Sequence, residues 1–206
     1  MKVILINGSP HASGCTNRAL KEVADVLNTY DIETEIIQVG HLCIRGCIAC
    51  GKCKELKQCV FDDAVNTVAK KLEESDGMII GSPVYYSSPN GTLISFLDRL
   101  FYSSAYIDKR MKVGASIVSA RRAGTTASFD VLNKYFTISS MPIASSQYWN
   151  NIHGNVESEA EQDVEGLQTM RTLGHHMAFL MKSIQLGKEA FGLPEREKKI
   201  VTNYIR

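Results

Sequence analysis

The sequence has almost no net charge: 23 Lys and Arg against 22 Asp and Glu leave a formal +1 at pH 7. That balance gives no electrostatic reason to expect a nucleic acid or an anionic membrane surface as partner. Long apolar runs are missing as well. None approaches the roughly 20 residues a membrane helix needs. The amino-terminus opens with Lys2 and a short apolar stretch before Asn7, so no export signal and a cytoplasmic setting are expected. No internal repeat, low-complexity tract or interdomain linker interrupts the 206 residues, and a single domain spanning 1–206 is expected. No G-x-G-x-x-G follows a strand-like run, which argues against a separate Rossmann-type dinucleotide site. Tryptophan occurs once, at Trp149.

Against these absences stand six cysteines. In a chain that stays inside the cell they are expected to be reduced, which favours metal or redox roles over structural bridges. Cys47, Cys50, Cys53 and Cys59 form the run C-x2-C-x2-C-x5-C within the loop 43–59. Thiolates this close in sequence can converge on one soft inorganic centre, and a cubane iron-sulfur cluster suits the compact spacing best. Gly46 and Gly51 flank the ligands and let the backbone fold closely around sulfur. A zinc site, a redox-labile disulfide pair and free thiols are the competing readings of the same spacing. The five histidines, including His175 and His176, read as surface or packing residues.

The rest of the chain alternates between strand and helix patterns. VILIN at 3–7 is a nearly continuous apolar run, as a strand buried on both faces should be. Leu20, Val23, Ala24 and Leu27 then mark an amphipathic helix from Thr16 to about Tyr30. Thr34–Val39 reads as a second strand and 77–81 as a third. Val113–Ser119 reads as a fourth and Pro142–Ser145 as a short fifth. Helices are expected around Val65–Leu72 opened by Asp62 and Asp63, around Leu93–Phe101, around Phe129–Phe136, and as one long element at about 158–186. Repeated β/α units imply an α/β sandwich with a parallel sheet covered on both faces. The segment 192–199 reads as solvated tail.

In such a sheet ligands bind beyond the carboxyl ends of the strands, near the switch in strand order. Three loops fall there. The first, Gly8 to Asn17, is rich in small hydroxyl residues; Ser9, Ser13 and Thr16 can donate to an anion together with backbone N–H groups around Gly14 at the helix start. The second, Ser82 to Pro89, sets Tyr85 and Tyr86 beside Pro83 and suits the edge of a flat heterocycle. The third, Ser119 to Thr125, offers Arg121 and Arg122 to a reduced flavin or a nucleotide phosphate. An ordinary βα turn, plain hydrophobic packing and solvated arginines are the structural alternatives for the three in turn.

INGSP at 6–10, the cysteine run at 47–59, GSPVYY with its trailing LDR at 81–100 and VEGLQTM at 164–170 together resemble the iron-sulfur flavoprotein family, within the larger group similar to NADPH-dependent FMN reductases. The resemblance covers most of the chain. It implies a flavodoxin-like fold with five parallel strands in the order 2-1-3-4-5. It also implies FMN, with the phosphate at Ser9, His11, Gly14, Cys15, Thr16 and Asn17 and the ring along Pro83, Val84, Tyr85, Tyr86 and Ser87 and along Ser119, Ala120, Arg121 and Arg122. Family members commonly carry Arg or Lys where His11 stands, often Asn where Cys15 stands, and glycines where Ser119 and Ala120 stand. Cys47, Cys50, Cys53 and Cys59 would hold a [4Fe-4S] cluster.

FMN accepts a hydride or an electron pair and the cluster passes single electrons, so an oxidoreductase needing no side-chain nucleophile is expected. The resemblance implies a ferredoxin-like protein or NAD(P)H as electron donor, and a homodimer or dimer of dimers. A cluster-free NAD(P)H-dependent reductase and a non-catalytic electron carrier or redox sensor are the alternatives. The aromatic pair Tyr148–Trp149, in the polar segment Ser145–His153, reads either as core or as an interface anchor that completes the neighbouring chain's pocket, and the resemblance favours the interface.

Overall fold

The structure, a computed structural model, describes residues 1–202 and 204. Its elements in chain order are β1 (Lys2–Asn7), α1 (Cys15–Asn28), β2 (Glu33–Gln38), α2 (Cys53–Leu56), α3 (Ala64–Glu74), β3 (Gly77–Tyr85), β4 (Ser88–Pro89), α4 (Gly91–Ser103), β5 (Val113–Ala120), α5 (Thr125–Thr137), β6 (Asn151–His153), α6 (Glu157–Ala160) and α7 (Val164–Phe191). Five strands pair in parallel in the order β2-β1-β3-β5-β6, and β4 lies antiparallel to the end of β3. The expected order therefore holds, with one added hairpin.

Side-chain alternation along β1 builds the two cores. Val3 and Leu5 face α1 and α7, whereas Ile4 and Ile6 face α3 and α4. Each buried strand thus feeds both layers, which is why VILIN reads as continuous rather than alternating. Strand order reverses between β1 and β3, so their carboxyl ends border the crevice of the doubly wound sheet. Among the described residues no helix is long and apolar enough to cross a membrane.

Two expectations are corrected. Pro142–Ser145 is not a regular strand: it makes one parallel bridge, Ile143 with Gly114, and the edge strand resumes at β6 after an excursion. Asn150, buried in that excursion, donates through its side chain to Ser116 O at 3.0 Å while its own carbonyl accepts from Val118 N at 2.9 Å. Those bonds splice the broken edge back onto β5. The long helix begins at Val164 instead of 158, because the Asp163 carboxylate accepts from Gly166 N at 2.9 Å and caps a new start. The segment 192–199 has no regular structure and is mostly exposed.

Candidate functional site

The loops after β1, β3 and β5 meet at the carboxyl edge of the sheet, joined by short contacts. Gly8 N donates to Gly81 O at 2.8 Å, linking the first strand end to the second. Thr16 Oγ1 and Ser119 Oγ lie 2.7 Å apart, linking the first loop to the third. A Cβ on Gly124 would fall 2.9 Å from Ser87 Oγ and 3.0 Å from Ser87 Cα, so the second and third loops touch as well. The residues expected to gather around one ligand are therefore neighbours in space.

Within the first loop the turn is held from inside. Ser9 N donates to Asn7 Oδ1 at 3.0 Å, His11 N to Ser9 Oγ at 3.2 Å, and Gln38 Nε2 to Ser9 O at 2.5 Å. Gly40 lies directly behind: a Cβ there would stand 2.2 Å from Gly8 O and 2.3 Å from Ser9 O. Asn7 Nδ2 is buried and makes no hydrogen bond among the described residues. The starts of α1 and α5, on the first and third loops, have no side-chain cap, whereas Asp63, Asn90 and Asp163 cap α3, α4 and α7. The first-turn N–H groups of α1, at the end of the hydroxyl-rich first loop, are thus open to an exogenous acceptor, as a phosphate site requires. Ser9, Thr16 and Asn17 are buried, while His11 and Ser13 are exposed. Cys15 donates its thiol to Val156 O at 3.2 Å, and burial pushes that thiol's pKa up.

The second loop is a two-residue hairpin. Tyr86 and Ser87 both have positive φ, 51° and 57°, as a type I′ turn demands, although neither is the glycine or asparagine that favours it. Ser82 Oγ accepts from Asn90 N at 3.0 Å, drawing the hairpin's return onto the start of α4. Tyr85 is half-exposed and Tyr86 fully exposed; Pro83 and Val84 are half-buried. On the third loop Ser119 and Ala120 are buried, and Arg121 and Arg122 project into solvent. Just ahead of β6, Tyr148 and Trp149 pack ring to ring at 4.8 Å with about half of each side chain exposed, which removes the core reading. His175 and His176 bond to Tyr30 and to Ser145 O at 2.9 Å, away from the three loops.

A second site lies along α4. Cys47, Cys50, Cys53 and Cys59 all line one narrow recess with Ile48, Val60, Phe61 and Tyr102, whose free volume is about 20 Å³. Cys47 and Cys50 are exposed, Cys53 and Cys59 half-buried. Gly51 turns the chain at φ 71°, and Ala49 N donates to Cys47 Sγ at 3.4 Å. Among the described residues no three His, Cys, Asp or Glu groups converge closely enough to hold a single metal ion. A cubane distributes its thiolates over four irons, so its ligands stand farther apart than those of one ion. Four soft donors around one apolar-walled recess fit such a cluster better than zinc.

At the wall of the recess is an ion pair of a buried arginine and a half-buried aspartate that the sequence reading missed. Arg99 is fully buried and forks onto Asp63, with NH1–Oδ2 at 2.7 Å and NH2–Oδ1 at 3.0 Å. Its Nε and NH2 each lie 3.3 Å from Cys59 Sγ. Burial works to lower the Arg99 pKa, but the Asp63 and Cys59 contacts outweigh it and leave the pKa raised. The signal was in the LDR of the fourth helix: an arginine at an otherwise core-facing register between Phe96 and Leu100 needs a buried partner.

Fold and loop arrangement define a flavodoxin-like α/β protein, and solved structures agree on the fold. RosB, crystallised with bound 8-demethyl-8-formylriboflavin-5'-phosphate, superposes with a TM-score of 0.70 at 12% identity, covering 100% of this chain and 92% of RosB. A flavodoxin from the domain Archaea gives 0.59 at 15% identity over 88% of this chain and 99% of its own. The family profile described as NADPH-dependent FMN reductase matches residues 1–155. An iron-sulfur flavoprotein of Methanocaldococcus jannaschii is 32% identical over 192 residues, covering 90% of this chain and 100% of that relative. The chain belongs to the NADPH-dependent FMN reductase family, among its iron-sulfur flavoproteins.

Proposed function

We propose that the protein is an FMN-dependent oxidoreductase in which Cys47, Cys50, Cys53 and Cys59 hold a [4Fe-4S] cluster. The observation that carries the flavin half is the uncapped start of α1, set in a loop that is tied to the other two flavin-edge loops. There the N–H groups of the first helical turn, Ser9 and Thr16 would bind the FMN phosphate. The Pro83–Ser87 hairpin and Ser119–Arg122 would border the ring. When bound, FMN supplies the hydride and electron chemistry. The chain's part would be to bind and orient the ring: Thr16 and Ser119 hold two loops at fixed separation, and the backbone of the hairpin would wall one edge of the ring.

Support for the cluster half is the shared recess. It lies beside Arg99 and Tyr102, whereas the flavin-edge loops lead into α4 at Asn90; at 1.5 Å per residue the two are about 13–18 Å apart along the helix. That separation, and the half-exposed Tyr148–Trp149 pair, favour a homodimer or dimer of dimers in which a neighbouring chain completes the flavin pocket. Electrons would enter from a ferredoxin-like protein or NAD(P)H and leave to a small acceptor or a redox protein, in the cytoplasm.

A cluster-free NAD(P)H-dependent FMN or quinone reductase is the second reading, favoured by the match of residues 1–155 to the NADPH-dependent FMN reductase profile. Steady-state oxidation of NAD(P)H by iron-free, FMN-loaded protein distinguishes the two: full turnover supports the cluster-free reductase, and turnover that requires iron supports the proposal. No turnover with any donor or acceptor would leave an electron carrier.

A further inference from the structure

The four recess cysteines are not equivalent. Among the described residues Cys59 is the one of them whose sulfur meets a charged side chain, through two N–H···S contacts of 3.3 Å from Arg99. Its backbone is pinned as well: Cys59 N donates to Asn66 Oδ1 at 2.8 Å and Cys59 O accepts from Asn66 Nδ2 at 3.0 Å. Arg99 itself cannot swing away. Asp63 grips it in a two-pronged ion pair, Phe61 lies under its guanidinium with the ring centroid 4.9 Å from Cζ, and NH1 also reaches Arg45 O at 3.4 Å. Asp63 is in turn fixed by its N-cap bond from Val65 N at 3.1 Å.

We propose that Arg99 is a positioning residue that fixes Cys59 as the anchored thiolate of the four and sets the reduction potential of the centre they hold, with Asp63 as the opposing charge. The inference rests on the cluster reading above. A cluster that accepts one electron gains negative charge, and a cation donating N–H bonds to a ligand sulfur stabilises that charge more in a site shielded from water. Arg99, with no exposed side-chain surface, therefore raises the potential. The Asp63 carboxylate behind it offsets part of the effect. A purely structural arginine would link the two charges in stability only, and removing either would disturb the site in the same sense.

The test uses the full chain, reconstituted anaerobically with iron and sulfide, and reads iron per chain and the cluster potential by dithionite titration followed by electron paramagnetic resonance. Arg99→Met should lower the equilibrium constant for one-electron reduction at least tenfold, a 59 mV shift. Arg99→Lys, which keeps charge but loses the fork, should fall between Met and wild type. Asp63→Asn should shift the potential upward, because asparagine retains the N-cap acceptor and loses the charge. Where Arg99→Met does not fold or hold iron, Arg99→Lys and Asp63→Asn decide the matter. Loaded variants with potentials unchanged, or shifted in one common direction, overturn the inference while leaving the cluster reading intact. A wild type that takes up no iron overturns both.

Discussion

Placing a methyl group on Gly40 tests whether the first loop is the phosphate cradle. The added Cβ would stand 2.2 Å from Gly8 O, about 1.2 Å inside the 3.4 Å at which ordinary contact begins, and 2.3 Å from both Ser9 C and Ser9 O. The obstructing atoms are backbone, so no rotamer change relieves the overlap. Instead the Gly8–Ser9 turn must retreat, straining the Gln38–Ser9 and Gly8–Gly81 bonds that fix it. Overpacking of this kind costs about 1–3 kcal/mol. At about 1.4 kcal/mol per tenfold, FMN affinity should fall roughly tenfold or more. Flavin fluorescence quenching in a titration of apo-protein measures the affinity, and thermal unfolding of the apo-protein measures the strain. For a chain of this size each kcal/mol corresponds to about 2–4 °C in Tm. Gly187→Ala is the control: its Cβ meets nothing within 4 Å, and near the carboxyl end of α7 it should stabilise by at most about 0.5–1 kcal/mol without touching FMN affinity. A Gly40→Ala protein that binds FMN as tightly as wild type would refute the assignment of this loop.

Thr16→Val should remove the buried 2.7 Å bond to Ser119 and leave that hydroxyl unpaired, costing about 1–3 kcal/mol in apo stability and weakening FMN binding; an unchanged denaturation midpoint would contradict this. Cys50→Ser should lose iron and the cluster's visible absorbance after anaerobic preparation, while Cys15→Ser and Cys43→Ser keep both, as iron assay and spectrum will report. Lys109 is buried, and burial lowers its pKa to about 8, against about 10.4 in the unfolded chain. The unfolded chain therefore binds more protons across that window, so the penalty is fully present below about pH 8 and is relieved as pH rises toward 10.4. Urea unfolding should accordingly show wild type gaining stability relative to Lys109→Met by up to about 1.4 kcal/mol per pH unit there, and parallel pH profiles would count against it. Light scattering at micromolar concentration should show a dimer or tetramer; a monomer that retains FMN and turnover on dilution would mean that each pocket is complete within one chain.

Much of this architecture is legible in the sequence because parallel strands buried on both faces leave unbroken apolar runs, and the helices between them leave one apolar stripe each. β1, β3 and β5 lie within the runs or extend them by a few residues. The edge strand was misplaced because its pairing is split by a polar excursion whose cohesion comes from Asn150 and Ser146 side chains, which carry no strand signal. The hairpin was hidden for a related reason: Tyr86 and Ser87 take positive φ without the residues that normally announce it. At the candidate sites the loops could be read from their hydroxyl and cysteine content. The partners of their supports could not. Gly40 matters through a backbone contact across more than 30 residues of chain, and Arg99 through partners on a different helix and loop, neither of which local spacing encodes.

The central claim, one flavin and one cluster in the same chain, is tested most directly by purifying the protein without oxygen and measuring FMN, iron and the visible spectrum together. The account predicts about one FMN and four irons per chain, with flavin bands superimposed on a broad cluster absorbance that bleaches on reduction or exposure to air. Protein that takes up FMN but no iron would contradict the cluster, and protein that takes up neither would contradict the account as a whole.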